Sequence, residues 1–164
     1  MYTKEQTAPN MRFLLVRAEN IPEQLKTRPQ WVVWKAVGGK PDKVPYTART
    51  GRKASSTDLL TWGTFEEALQ AYENRECAGL GFVFSSGDPY TGIDLDNCVI
   101  ADGEIAPWAM EIVRHFDSYT ELSATGTGIH IIVQGLYSTN RRKGAVEVYS
   151  TKRFFTVTGH ELEV

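Results

Sequence analysis

Gly92-Ile93-Asp94-Leu95-Asp96-Asn97 alternates aliphatic and acidic residues with a period of two. That period belongs to a β-strand, whose successive side chains point to opposite faces. In an expected strand at 91–96, Asp94 and Asp96 therefore share one face, and Ile93 and Leu95 share the other. Two residues of rise set the carboxylates about 6.6 Å apart along the strand. A hard divalent cation, or two cations about 4 Å apart, fits between their oxygens and relieves their repulsion. Such a pair on its own is more often a solvated sheet face or a turn than a metal site. An EF-hand is excluded, because Cys98 and Val99 stand where a loop ligand and the required glycine belong.

The same alternation returns on two later segments. In Ile129-His130-Ile131-Ile132-Val133, the histidine faces away from Ile129, Ile131 and Val133. In Val146-Glu147-Val148-Tyr149, Glu147 faces away from its two valines. The simplest arrangement has all three strands line one site, where Glu147 completes an oxygen-rich cage for Mg²⁺ or Mn²⁺. Taken singly, His130 also reads as a structural histidine and Glu147 as an ordinary edge-strand charge.

Ser123-Ala124-Thr125-Gly126-Thr127-Gly128 leads into the His130 strand. Glycines let backbone N–H groups approach an anion, and Ser and Thr hydroxyls add donors, so the turn suits phosphate oxygens. A plain hairpin turn has the same composition. The segment is neither a Walker loop nor a dinucleotide fingerprint, lacking GK[ST] and GxGxxG. Lys152 and Arg153, directly after the Glu147 strand, stand either within reach of the same phosphates or at a solvated hairpin tip.

Working outward, Trp31-Val32-Val33-Trp34-Lys35-Ala36-Val37 reads as a strand ending in a turn at Gly38-Gly39. Lys43-Val44-Pro45-Tyr46 resumes as an edge strand, where proline is tolerated. Residues 47–58 form a basic surface loop. A short helix is expected at 20–27. Thr64 and Glu67 form a capping box that opens a three-turn helix, with Phe65, Ala68, Leu69 and Tyr72 on one face. A buried strand at 79–84 turns through Ser86-Gly87-Asp88-Pro89 into the acidic strand as a hairpin. Pro107 opens a helix with Trp108, Ile112, Val113 and Phe116 as its apolar stripe. Further strands are expected at 119–124, 129–134, 145–149 and 153–158. The order is α+β, with helices inserted into a largely antiparallel sheet.

The 164 residues are 41% hydrophobic and 23% charged, which fits one globular domain and excludes collagen, coiled coil and wholesale disorder. Residues 1–12 read as a flexible N-terminal arm and 13–164 as the domain. No apolar run approaches the ~20 residues that span a bilayer, and residues 1–6 lack a signal-peptide core, so the expected compartment is cytoplasmic. Two distant cysteines, Cys77 and Cys98, rule out a disulfide scaffold or a zinc ribbon. The net charge of −2 speaks against a protein that coats nucleic acid through bulk charge. The basic residues are nonetheless grouped, at Arg49-Arg52-Lys53, Arg141-Arg142-Lys143 and Lys152-Arg153. Any hold on nucleic acid through these groups is expected to be weak and salt-sensitive.

Together these segments resemble the prim-pol catalytic domain of the archaeo-eukaryotic primase superfamily, in its phage and plasmid branch. Asp94-Leu95-Asp96, the run from Ser123 to His130, and Glu147 stand in the order of that family's three motifs. The likeness extends upstream through Trp31-Val32-Val33-Trp34-Lys35, Lys43-Val44-Pro45-Tyr46, Lys53-Ala54-Ser55-Ser56-Thr57-Asp58 and Trp62-Gly63-Thr64. Downstream it reaches Gly159, where a motif-three strand pair is expected.

The resemblance implies an RRM-like sheet carrying the acids, packed with an N-terminal αβ module. It implies template-directed nucleotidyl transfer from nucleoside triphosphates onto single-stranded or primed DNA, with two Mg²⁺ or Mn²⁺ ions. Asp94, Asp96 and Glu147 would hold the metals, and His130 would bond a phosphate of the incoming nucleotide. Ser123, Thr125, Gly126 and Gly128 would shape that pocket, Lys152 and Arg153 would neutralise phosphate charge, and Lys43 would contact nucleotide or template. Family members continue into a helical region and a helicase, so this chain is expected to be part of a longer primase-helicase polypeptide serving phage, plasmid or mobile-element replication in a prokaryotic cell. Two other readings stay open from the residues alone: a non-catalytic single-strand-binding RRM-like module, and a metal-dependent nuclease. A relaxase is disfavoured, since no HxH pair occurs.

Overall fold

The β-branched and aromatic run expected at 31–37 forms β1 (Trp31–Ala36), paired antiparallel with β2 (Lys43–Tyr46) on one side and β3 (Gly79–Phe84) on the other. The computed structural model describes residues 13–37, 42–74, 77–136 and 139–164. The expected arm at 1–12 and the turn at Gly38-Gly39 lie outside the described residues. Pro45 sits opposite Trp34 on β2, the sheet's edge strand, where its missing N–H costs no ladder bond.

A second sheet holds β4 (Tyr90–Leu95), β5 (Tyr119–Leu122), β6 (Ile129–Gln134), β7 (Arg141–Lys143) and β8 (Val146–Tyr149) in the spatial order β5-β6-β4-β8-β7. The last strand, β9 (Arg153–Val157), returns to the first sheet and completes the order β2-β1-β3-β9. Every strand pairing among the described residues is antiparallel, and the fold is α+β as expected. One sheet with inserted helices is corrected to two sheets.

The expected β3–β4 hairpin does not form. Both edges of β3 are already taken, by β1 and β9, so β4 has no partner there. A corner forms instead around the buried carboxylate of Asp88, which accepts the N–H groups of Ser85 (2.8 Å) and Tyr90 (2.7 Å) and the Gln30 side-chain amide (2.7 Å). The expected motif-three strand pair is likewise split, with β8 in one sheet and β9 in the other. Lys152 marks the crossing, with φ +59° and its N–H donating to the Phe84 carbonyl.

Among the described residues, three α-helices cover the sheets. The α1 helix (Glu23–Lys26) is a single turn preceded by Pro22, shorter than the expected 20–27. The α2 helix (Phe65–Asn74) opens on the predicted capping box: Thr64 Oγ1 accepts the Glu67 N–H at 3.1 Å and Glu67 Oε1 accepts the Thr64 N–H at 3.2 Å. The α3 helix (Pro107–Phe116) packs Ala109 and Val113 onto Ile93, Leu95, Ile129 and Ile131. Trp108, expected in that stripe, is 39% exposed; the buried face starts one residue later, at Ala109. Among the described residues no helix is long and apolar enough to cross a membrane.

The aliphatic face of the second sheet is thus spent on α3, and its other face meets the first sheet. There, Gly92 makes the contact possible: a Cβ would lie 2.5 Å from Phe155 Cε2 and 2.6 Å from Phe84 Cζ. Gly92→Ala is expected to cost about 1–3 kcal/mol by overpacking two buried rings. A melting temperature equal to the wild type's would show that the sheets can part at no cost.

Candidate functional site

Strand register sets five polar residues in one line across the second sheet. Asp94 is opposite His130 on one side and Glu147 on the other. His130 is in turn opposite Glu121, and Glu147 is opposite Arg142. The row runs Glu121, His130, Asp94, Glu147, Arg142, one residue from each strand. All five occupy the face turned toward β9, because their neighbours Ile93, Leu95, Ile129 and Ile131 occupy the face against α3. The three strands expected to line one site do adjoin, and two residues that the sequence reading passed over extend the row.

His130 is buried and stacks on Phe155, with ring centroids 4.5 Å apart and planes at 25°. Its Nδ1–H donates to the Thr156 carbonyl (3.0 Å), and Glu121 Oε1 lies 3.7 Å from the same nitrogen. Its Nε2 lies 3.4 Å from Asp94 Oδ1. Burial works against the charged ring, but the nearby carboxylates of Asp94 and Glu121 outweigh it and raise its pKa to about 9. Between pH 6.5 and about 9 the folded metal-free protein therefore holds a proton that the unfolded chain releases. This contribution to stability is full below pH 6.5 and is lost as pH rises through 9. Following the His130 ring by NMR in metal-free protein should give a midpoint near 9; a midpoint at 6.5 would mean that the carboxylates do not act on it.

β4 ends at Leu95, one residue earlier than expected, so Asp96 opens the turn that follows. Its N–H still makes a ladder-like bond to the Ala145 carbonyl (2.8 Å), and its side chain is exposed. Lys43, on edge strand β2, reaches this corner: burial lowers its pKa, while the charges of Asp94 and Asp96 push it back up. The ammonium also lies 6.0 Å from the Trp34 ring centroid.

The glycine turn packs against the same corner. A Cβ on Gly128 would stand 2.7 Å from the Leu95 carbonyl oxygen and 3.7 Å from Asp96 Cα, so only glycine lets the turn lie this close. Ser123 closes it, its Oγ accepting the Gly128 N–H at 3.0 Å and its carbonyl the Gly126 N–H at 2.8 Å. Gly126 takes φ +75°. These two amides are spent within the turn, so the glycines shape it. The Thr125 and Thr127 hydroxyls, bonded to each other at 2.7 Å, are its outward polar groups.

Glu147 is held by its own neighbours. Its Oε2 accepts the Tyr149 hydroxyl at 2.5 Å and its Oε1 lies 3.1 Å from Arg142 Nε. Arg153 is exposed and lies over the Tyr149 ring at 5.4 Å, and the Lys152 carbonyl accepts the Ser56 hydroxyl at 3.1 Å. In the basic loop, Arg49 is engaged elsewhere, with Glu67 at the start of α2.

Among the described residues no three His, Cys, Asp or Glu side chains converge as a ready-made metal cage. The donor set nonetheless suits a hard cation in kind. Asp94 and Asp96 offer oxygens only, they stand two residues apart at the end of β4, and the charges of both act on the Lys43 ammonium. Mg²⁺ ordinarily takes one or two protein carboxylates and fills its shell with water and substrate phosphate, so an open set of acids is no misfit.

No family model matches the chain. A DNA primase-polymerase of Nitratiruptor phage NrS-1 is 38% identical to it over 138 residues, which is 79% of this chain and 19% of that protein. The chain belongs to the phage branch of the prim-pol family. It spans about a fifth of the relative's length. In this prim-pol chain, Glu121 and Arg142 are the row members that sequence reading missed. Glu121 had a usable signal, an acid on a β-strand that is otherwise Tyr, Thr and Leu. Arg142 had none, since β7 is an exposed basic segment of three residues.

Proposed function

We propose that this chain is the nucleotidyl-transfer domain of a DNA primase-polymerase, adding nucleotides from triphosphates to a DNA primer on a template. The observation that carries the proposal is the register of Asp94, His130 and Glu147 on three adjacent strands, with Asp96, Lys43 and the 123–128 turn gathered where β4 ends beside Asp94. A polymerase needs acids for a cation, donors for a triphosphate and an open face for a duplex, within a few ångströms of one another. An RRM-like reading of the sheet is supported by the chain order β4, α3, β5, β6, β8, interrupted by the short β7 before β8, and by the strands' lying side by side as β5-β6-β4-β8.

Asp94 and Asp96 are the residues that would hold Mg²⁺ or Mn²⁺, with Glu147 joining once its bonds to Arg142 and Tyr149 are exchanged. A pair of divalent ions bound there supplies a more acidic primer 3′-hydroxyl and a counter-charge for the leaving pyrophosphate. His130 bonds a phosphate oxygen of the incoming nucleotide through Nε2. The rim of the 123–128 turn, with Ser123 setting its shape and Thr125 offering a hydroxyl, receives the triphosphate. Lys43, Lys152 and Arg153 neutralise phosphate charge around it, and Arg142, freed from Glu147, adds one more cation. The DNA partner is single-stranded or primed template, held weakly by the grouped basic residues, and a helical and helicase region elsewhere in the polypeptide adds the remaining grip. The setting is replication of a phage, plasmid or mobile element in a prokaryotic cytoplasm.

The experiment is extension of a labelled primer on a DNA template with Mg²⁺ or Mn²⁺, using deoxy- and ribonucleotides in parallel. Growth of the primer is expected; shortening of the DNA would make the chain a nuclease, and binding without extension a non-catalytic module. His130→Ala is expected to raise KM for the triphosphate about tenfold or more while the metal affinity is kept. An unchanged KM would take His130 out of the nucleotide site.

A further inference from the structure

Glu121, on the edge strand β5, is a fully buried carboxylate, at 0% exposure. Burying an ionised acid is costly unless its oxygens are paired. Here both oxygens are supplied from one side: Oε1 accepts the Thr158 N–H at 3.0 Å, while Oε2 accepts the Thr158 and Gly159 N–H groups at 3.1 and 2.9 Å and the Tyr119 hydroxyl at 2.7 Å. The remaining neighbour is the His130 ring, 3.7 Å from Oε1 at Nδ1. The ring is thus flanked by two acids of unlike character. Asp94 is 29% exposed and open to a cation arriving from solvent, whereas Glu121 is sealed behind the histidine. An acid committed to a cation cannot also be the fixed anchor of the ring. Glu121 can, because its other partners are two backbone amides and the half-buried phenol of Tyr119, all belonging to the fold itself.

We propose that Glu121 is a positioning residue for the nucleotide site: with the Thr156 carbonyl and the Phe155 ring it fixes the imidazole through the Nδ1 edge and keeps Nε2 turned outward to a triphosphate. This rests on the primase-polymerase reading. It goes beyond it by assigning the buried acid of β5 to binding of the triphosphate rather than to metal. The plainer alternative is that Glu121 only ties residues 158 and 159 to β5, and the two differ in one respect. A positioning role acts through His130, whereas a structural tie does not.

The test is a double-mutant cycle on the full chain, reading the dissociation constant of a deoxynucleoside triphosphate with Mg²⁺. Glu121→Gln is expected to weaken binding about tenfold in the wild-type background, as loss of an outer partner of a site histidine does. In the His130→Ala background the same change is expected to do nothing further. Equal losses in both backgrounds, or a lower melting temperature with affinity intact, would overturn the positioning role and leave a structural tie. Glu121→Asp keeps the charge but withdraws it from the ring, and it carries the same cycle should Glu121→Gln not fold. In the wild type, the Nδ1–H of His130 should stay protected from solvent exchange when Mg²⁺ and triphosphate are added; its loss would mean that the ring turns and the anchor is not Glu121. Absence of any triphosphate binding by the wild type would instead overturn the primase-polymerase reading itself, and the positioning role with it.

Discussion

The double variant Asp94→Asn, Asp96→Asn is expected to extend primers at roughly one-thousandth of the wild-type rate or less, a loss of about 4 kcal/mol of transition-state stabilisation. Asparagine keeps the size and one oxygen of each side chain but removes the charge that binds a hard cation. Both carboxylates act on the Lys43 ammonium, so the acids form one electrostatic unit and their losses should not add as independent terms. Folding is a weak confounder, because Asp96 is exposed and Asp94 partly so. The uncharged amide that replaces Asp94 no longer supports the charge on His130, so the ring pKa should fall toward its ordinary value, which gives a check that does not depend on activity. Primer extension near the wild-type rate, with the ring titration shifted as expected, would remove the acids from the chemistry.

Gly159→Ala is expected to be the most destabilising glycine-to-alanine change among the described residues. Gly159 takes φ +70°, in the left-handed region that disfavours a Cβ by about 1–2 kcal/mol. An added Cβ would stand only 2.0 Å from the carbonyl oxygen of Arg17, whose N–H in turn donates to the Thr158 carbonyl at 2.8 Å. The obstacle is backbone, so it cannot be relieved by turning a side chain. Strain and overpacking together come to about 2–5 kcal/mol, a drop in melting temperature on the order of 5–15 °C for a domain of this size. Because the Gly159 N–H also donates to Glu121, the displacement reaches the anchor of His130. Gly87→Ala is the control: Gly87 is exposed and a Cβ there meets nothing within 4 Å, so its effect should stay within about 0.5 kcal/mol. Equal melting temperatures for the two variants would mean that residues 158 and 159 do not bind the second sheet in solution.

Much of the candidate site was legible because it is written in strand alternation. Asp94, His130 and Glu147 each sit between aliphatic neighbours, and the period of two is enough to give each a polar face. The capping box at Thr64 and Glu67 was legible for a similar reason: its two hydrogen bonds lie within four residues. Lys43 entered through family resemblance, and its charge coupling to Asp94 and Asp96 supports its place. The hairpin after Phe84 was misread because turn residues look the same whether a chain folds back on its neighbour or leaves for another sheet. What decides is whether the edge of β3 is free, and that depends on β9, far later in the chain. Trp108 was misread because a short helix with apolar residues on several sides does not say which side meets the sheet.

Local sequence was enough to say which residues share a face, which segments are strands and helices, and that the chain resembles the prim-pol family. These follow from periodicity, capping and motif order, all of which act over a few residues. Only the folded chain reveals that there are two sheets, that β8 and β9 part company, and that Glu121, His130, Asp94, Glu147 and Arg142 stand in a single line. Register between strands is a long-range choice, made by which apolar faces can be buried together and by where a glycine such as Gly92 lets two sheets touch. Sliding any one strand by a residue would keep its alternation and destroy the row.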